Sequence, residues 1–128
     1  LLKGVNDGTI DMITSDHNPM DIEHKKMEFD LAKNGTIGLE SAFGALMTVL
    51  PIEIIVEKLT SGRNIFPIEN EFVEENKKAN LTLFSTEGNW TFEKSDIISK
   101  SKNSAFIGTK MKGKVYGICN RGKLNIYK

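Results

Sequence analysis

Residues 10–19 read Ile10-Asp11-Met12-Ile13-Thr14-Ser15-Asp16-His17-Asn18-Pro19. Apolar residues at 10, 12 and 13 predict a short strand over residues 10–14. Pro19 lacks an amide proton and cannot continue a ladder, so the strand ends by about Ser15. A dense polar group therefore follows the C-terminal end of a buried strand, which is where α/β proteins carry their chemistry. Two readings of Asp16-His17 stand open. One is a carboxylate held as metal ligand or general base. The other is an Asx-turn that caps the loop before Pro19.

Upstream of the strand, Asp7-Gly8 signals a turn. Downstream, residues 20–38 are charged and loop-like, with a short helix expected over residues 22–33. Gly35 and Gly38 bracket a tight connection, either as turn punctuation or to bring backbone amides close to a ligand. Leu39, Ala42, Phe43, Leu46, Met47 and Leu50 then fall on one apolar helical stripe. Pro51 suits the first turn of a second helix, whose Ile52, Ile55, Val56 and Leu59 repeat the spacing. Ser61-Gly62 reads as its stop, and a third helical turn is expected over residues 63–66.

The pattern then changes. Residues 69–80 form a charged stretch, followed by strand-like runs at 81–84, 90–92, 113–120 and 123–127. Arg121-Gly122 lies between the last two as a hairpin turn. The chain thus divides into a β-then-α part (1–66), a linker (67–79) and an all-β part (80–128). That suggests pieces of two domains.

Composition narrows the function classes. The 128 residues carry 17 Lys and Arg against 17 Asp and Glu, with 39% apolar residues, so the chain is neither disordered nor strongly charged overall. It is too short for a self-sufficient (β/α)₈ barrel, which takes roughly 200 residues or more. No apolar run approaches the ~18 residues of a membrane span, so no membrane contact is expected. The chain starts at Leu1 without an initiator methionine or signal pattern, and it reads as part of a longer polypeptide in a reducing cytoplasm. In that setting the three Asn-x-Ser/Thr sites at Asn34, Asn80 and Asn89 carry little weight. From residue 95 onward eight basic residues face Asp96 alone. These lysines alternate with apolar residues and lack interleaved aromatics, so they predict a solvated sheet face and not a nucleic-acid surface.

Several motifs give way to plainer readings. Residues 108–114 match seven positions of a P-loop, but the eighth is Val115 and the segment leads into a strand. A glycine-containing turn explains it better. His17 and His24 fit no common zinc spacing, and His24 reads as a solvated surface residue. Cys119, the single cysteine, excludes an internal disulfide and reads as a small buried hydrophobe.

A family resemblance runs through these same residues. The stretch from Asp7 through Asp16-His17-Asn18-Pro19, then Glu28-Phe29, then Gly35-Thr36-Ile37-Gly38-Leu39-Glu40, resembles the C-terminal third of bacterial dihydroorotases, which group with the cyclic amidohydrolases. The likeness continues through Glu57-Lys58-Leu59-Thr60, Ala79-Asn80-Leu81-Thr82-Leu83-Phe84, Ser99-Lys100-Ser101-Lys102-Asn103 and Gly113-Lys114-Val115. It implies an α/β chain: the last β/α part of a metal-dependent (β/α)₈ amidohydrolase barrel, followed by C-terminal strands of a small β-sandwich. Residues 10–15 then match the eighth barrel strand, and the helix from Leu39 the closing barrel helix.

The resemblance also implies chemistry. Asp16 matches the family's zinc-binding and proton-shuttling carboxylate, which serves the reversible hydrolysis of dihydroorotate to carbamoyl aspartate in pyrimidine biosynthesis. Asn34 and Gly35 match a backbone contact to substrate. Met20 stands where the family often has a histidine that contacts the substrate carboxylate, and Met cannot donate that bond. Asn80 replaces a family aspartate. The other zinc ligands would lie upstream of Leu1, so the isolated chain is expected to be inactive. Its helices would expose their apolar stripes, so it is expected to need the rest of the barrel or a partner chain and to form homo-oligomers. Two alternatives stand beside the enzyme reading. One is a catalytically silent, dihydroorotase-like assembly subunit. The other is a hydantoinase- or dihydropyrimidinase-type amidohydrolase.

Overall fold

In a computed structural model, residues 1–68 and 73–127 are described. Part of the linker expected at 67–79 therefore lies outside the described residues. The chain opens on a short helix, α1 (Leu2–Asn6), whose Val5 is buried. Five residues are too few to show a period, so no apolar pattern announces it. Asp7 ends it with an Asx-turn, in which the Thr9 amide and hydroxyl donate to Asp7 Oδ1 at 3.0 and 2.6 Å.

Residues 10–15 carry no strand, contrary to the sequence expectation. A strand exists only beside a partner, and the strands of this chain pair with one another in a separate sheet. The segment instead runs against the end of the second long helix. The Ile13 amide donates to the Lys58 carbonyl at 2.9 Å, and the Ser61 hydroxyl donates to the Asp11 carbonyl at 2.6 Å. The helix expected over 22–33 is also missing, and two isolated turns stand in its place. Only single-turn bonds form there, such as Lys26 to Ile22 and Ala32 to Glu28, because the segment has no continuous apolar stripe to bury.

The expected helices follow as α2 (Leu39–Leu46), α3 (Ile52–Thr60) and α4 (Gly62–Ile65). Val5, Met47, Leu50 and Ile55 form one core cluster, with Phe43, Leu46 and Ile52 packed beside it. The stripe of α2 is only part of its buried surface. Ser41 and Gly44, on another face, are buried as well. A Cβ on Gly44 would lie 3.1 Å from the Met111 side chain and 3.3 Å from Trp90, so the missing side chain lets α2 approach the sheet.

The sheet has three antiparallel strands in the order β1 (Asn80–Thr91), β2 (Lys110–Asn120) and β3 (Lys123–Ile126). The two runs expected at 81–84 and 90–92 join as one strand through a bulge between Ser85 and Asn89. Arg121 (φ 50°) and Gly122 (φ 79°) make the two-residue hairpin turn, both left-handed as a type I′ turn requires. Gly108 sits in a turn and Gly113 within β2, where its carbonyl accepts the Trp90 indole N–H at 2.7 Å. No helix follows that could cradle a phosphate. Lys110, Lys112 and Lys114 are exposed and alternate with buried Met111 and Gly113. Cys119 is half-buried in β2, less covered than expected.

A second core cluster joins Ile37 to Phe92, Ile97 and Met111. The segment that precedes α2 thus packs on the sheet. No described helix is long and apolar enough to cross a membrane.

Candidate functional site

Asp16 is exposed and has left-handed backbone, φ 43°. Such a conformation costs a non-glycine residue about 1–2 kcal/mol, least for Asp and Asn, and it persists where neighbouring contacts fix it. Both flanking residues supply such contacts. The Gly38 and Leu39 amides donate to His17 Nδ1 at 3.2 and 3.3 Å. A Cβ on Gly38 would collide with the Ser15 carbonyl oxygen. Ser15 and His17 therefore both rest on Gly38 at the start of α2, and Asp16 stands at the apex between them. Among the described residues its carboxylate has no hydrogen-bond partner, which leaves it available for chemistry.

The turn continues into a second contact. The Asn18 amide donates to the Thr36 carbonyl at 2.9 Å. Gly35 has φ 133°, and a Cβ there would lie 2.7 Å from the Asn18 carbonyl oxygen and 3.0 Å from Met20 Cγ. Close backbone approach and positive φ together explain the glycine. The structure thus brings Gly35 against Met20, while Asn34 beside it is exposed. Met20 offers no side-chain donor, and its carbonyl accepts the Ser101 hydroxyl at 2.6 Å.

A polar run from the all-β part holds these loops. Asn103 Nδ2 donates to the Gly35 carbonyl at 2.8 Å, and the Ile37 amide donates to the Asn103 carbonyl at 2.9 Å. The Ala105 amide donates to Thr36 Oγ1 at 3.1 Å. The Ser99 amide and hydroxyl donate to Glu40 Oε1 at 2.8 and 2.5 Å. Burial alone would raise the Glu40 pKa. The bonds from the Ser99 hydroxyl and amide, with a smaller one from the Glu40 backbone amide, outweigh it and hold the carboxyl below its usual 4.5. No periodicity or motif in the sequence marks these supporting roles. The stretch Ser99-Lys100-Ser101-Lys102-Asn103 carried a resemblance, and its density of short polar side chains was the one hint of loop-binding work.

An open cleft of about 820 Å³ lies beside Met20, lined also by Asp21, Lys94, Lys100, Lys102 and Asn103. Neither Asp16 nor Gly35 lines it. His24 is partly exposed, with Nδ1 2.6 Å from Asp21 Oδ1. The Asp21 carboxyl is held below its usual 3.8, chiefly by the His24 amide and then by the His24 ring.

The donor set does not make a metal centre by itself. Among the described residues no three His, Cys, Asp or Glu side chains come together. Asp16 offers a single carboxylate, and His17 Nδ1 is already engaged by backbone amides. A zinc ion needs about four ligands.

No family model matches the chain. Individual relatives do. The dihydroorotase of Caldicellulosiruptor saccharolyticus is 37% identical over 131 aligned positions, covering 97% of this chain and 30% of the relative. That of Chlorobaculum tepidum is also 37% identical, with the same coverage. That of Endomicrobium trichonymphae is 40% identical over 87% of this chain and 28% of its own length. The chain therefore spans about 30% of the curated relatives it matches, a C-terminal part. Among solved structures, the D-hydantoinase (dihydropyrimidinase) from Thermus sp. superposes with a TM-score of 0.77 at 23% identity, covering 97% of this chain and 30% of that one. The folds agree over nearly the whole chain, and the resemblance carried by Asp16-His17 and its flanking motifs is to the same family as these curated relatives.

Proposed function

We propose that this chain is the C-terminal part of a dihydroorotase, a cyclic amidohydrolase that interconverts dihydroorotate and carbamoyl aspartate in pyrimidine biosynthesis, with Asp16 as its catalytic carboxylate. The observation that carries the reading is the Asp16 turn. An exposed carboxylate, unpartnered among the described residues, sits on a left-handed turn footed on Gly38, in a chain 33–40% identical to dihydroorotases.

Hydrolysis of a ring amide needs one proton removed from the attacking water and one delivered to the departing nitrogen. A carboxylate within reach of both performs the two transfers in turn. As the water oxygen bonds to the carbonyl carbon, its proton passes to Asp16. As the C–N bond breaks, Asp16 returns that proton to the nitrogen. Ring closure runs the same steps backwards. Asn34 and Gly35 are proposed to line the substrate through their backbone. Met20 leaves the substrate carboxylate to other donors. Zinc is proposed as the family's metal, with Asp16 giving one oxygen and the remaining donors coming from polypeptide outside this chain.

The partner surface is proposed to be the rest of the barrel. Val49, Val56, Leu59, Ile65 and Phe66 are each at least 42% exposed on or beside α2–α4, which suits helices whose second face packs elsewhere. A cytoplasmic, homo-oligomeric enzyme acting on a small molecule fits the same reading. The silent assembly subunit is the second reading, and it is favoured by Met20, which carries no donor for a substrate carboxylate. Ring opening of dihydroorotate by the full-length protein separates the two. Turnover supports the enzyme. A folded full-length protein without turnover supports the subunit.

A further inference from the structure

We propose that His17 is a positioning residue for Asp16: its Nδ1 ties the Asp16 turn to the N-terminus of α2. The catalytic consequence rests on the amidohydrolase reading, whereas the tie itself does not.

Two amides, from Gly38 and Leu39, converge on Nδ1 at 3.2 and 3.3 Å. The first amides of a helix have no partner within it. The N-cap residue Gly38 has no side chain to serve them. His17, 21 residues upstream, takes that place. A ring nitrogen accepts only through its lone pair, so Nδ1 carries no hydrogen. The backbone of α2 thereby selects the tautomer.

The tie acts on Asp16 through geometry. Ser15 packs its carbonyl on Gly38 from one side of Asp16, and His17 binds the Gly38 amide from the other. The residue between two anchors on one glycine is left with little freedom, and Asp16 adopts φ 43° there. The Asn18 amide, bonded to Thr36 O at 2.9 Å, prevents the downstream chain from relaxing the turn. Removing the ring frees one anchor and lets the Asp16 backbone leave its left-handed conformation. A misplacement of about 1 Å at a reacting group costs on the order of 10²-fold in rate.

The test combines ¹⁵N imidazole shifts, amide exchange and kinetics, all on the full-length protein. The expected spectrum shows an unprotonated Nδ1 and a protonated Nε2 at His17. In His17→Ala the Gly38 and Leu39 amides exchange about five- to tenfold faster. In His17→Asn, whose side-chain oxygen lies near the former Nδ1, protection returns. In the full-length protein His17→Ala lowers kcat about 10- to 100-fold with KM little changed, and His17→Asn recovers part of the loss. A protonated Nδ1 in the unsubstituted chain, or unchanged exchange in His17→Ala, overturns the tie. Lost protection with unchanged kcat overturns the positioning role. If His17→Ala does not fold, the tautomer of the unsubstituted chain and the His17→Asn variant still decide. A full-length protein with no turnover in any form counts against the amidohydrolase reading, and the tautomer and exchange results judge the tie independently.

Discussion

Asn103 holds Gly35 across 68 residues of sequence: its Nδ2 donates to the Gly35 carbonyl at 2.8 Å, while its own carbonyl accepts the Ile37 amide at 2.9 Å. One residue of the all-β part thus fixes both sides of the loop that carries Asn34 and Gly35. Asn103→Ala leaves the Gly35 carbonyl without its donor. The expected loss is about 1–2 kcal/mol of stability, read as a lower urea midpoint at unchanged slope. A midpoint equal to that of the unsubstituted chain would show that the clamp carries no weight.

Gly35→Ala meets two penalties at once, a positive φ of 133° and a Cβ placed 2.7 Å from the Asn18 carbonyl oxygen. The expected cost is about 1–3 kcal/mol. Because the clash falls on the stretch leading from Asp16 to Met20, amide shifts at Asn18 and Met20 should move most. Changes confined to residues 33–37 would contradict the contact.

Ser99 and Glu40 couple stability to pH. The folded Glu40 pKa lies below 4.5, so the stabilisation it brings is fully present above that value and is lost as pH falls through the folded pKa. The unfolded state binds the proton first, which makes stability rise with pH across this acidic window. Carboxyl ¹³C titration should place Glu40 below 4.5 in the unsubstituted chain and move it upward in Ser99→Ala. An unmoved midpoint would assign the depression to another group.

Met20→His in the full-length protein restores a donor beside Gly35. A charge-assisted hydrogen bond to a substrate carboxylate is worth about 1.5–3 kcal/mol, so KM for dihydroorotate should fall roughly tenfold or more. A bond made equally in ground and transition states leaves kcat unchanged. An unchanged KM would move the substrate carboxylate away from this position.

Local patterns predicted the local parts of the fold. The apolar spacing from Leu39 to Leu46 and from Ile52 to Leu59 marks α2 and α3, although Met47 and Leu50 lie beyond the end of α2 and Leu39 is exposed, and Arg121-Gly122 marks the hairpin. What failed depended on distant partners. Residues 10–14 have strand composition and no strand beside them. Gly44 is buried by Met111 and Trp90 of the sheet, and Ser41 is buried on the same face, which no stripe on α2 could announce. The joining of residues 81–84 to 90–92 needed the bulge opposite Gly113. At the site, Pro19 marked where the polar turn lies. The footing of that turn on Gly38 and the clamps from Ser99, Ser101 and Asn103 are tertiary contacts, and composition is silent about them.

Asp16 is proposed to move the proton in ring opening. Asp16→Asn keeps the shape and the tolerance for left-handed backbone while removing the base. The measurement is carbamoyl aspartate formation from dihydroorotate by the full-length protein, with and without this substitution. The expected result is a loss of about 10²- to 10⁴-fold in kcat with the fold intact by circular dichroism. Turnover by Asp16→Asn within a few-fold of the unsubstituted protein would contradict it.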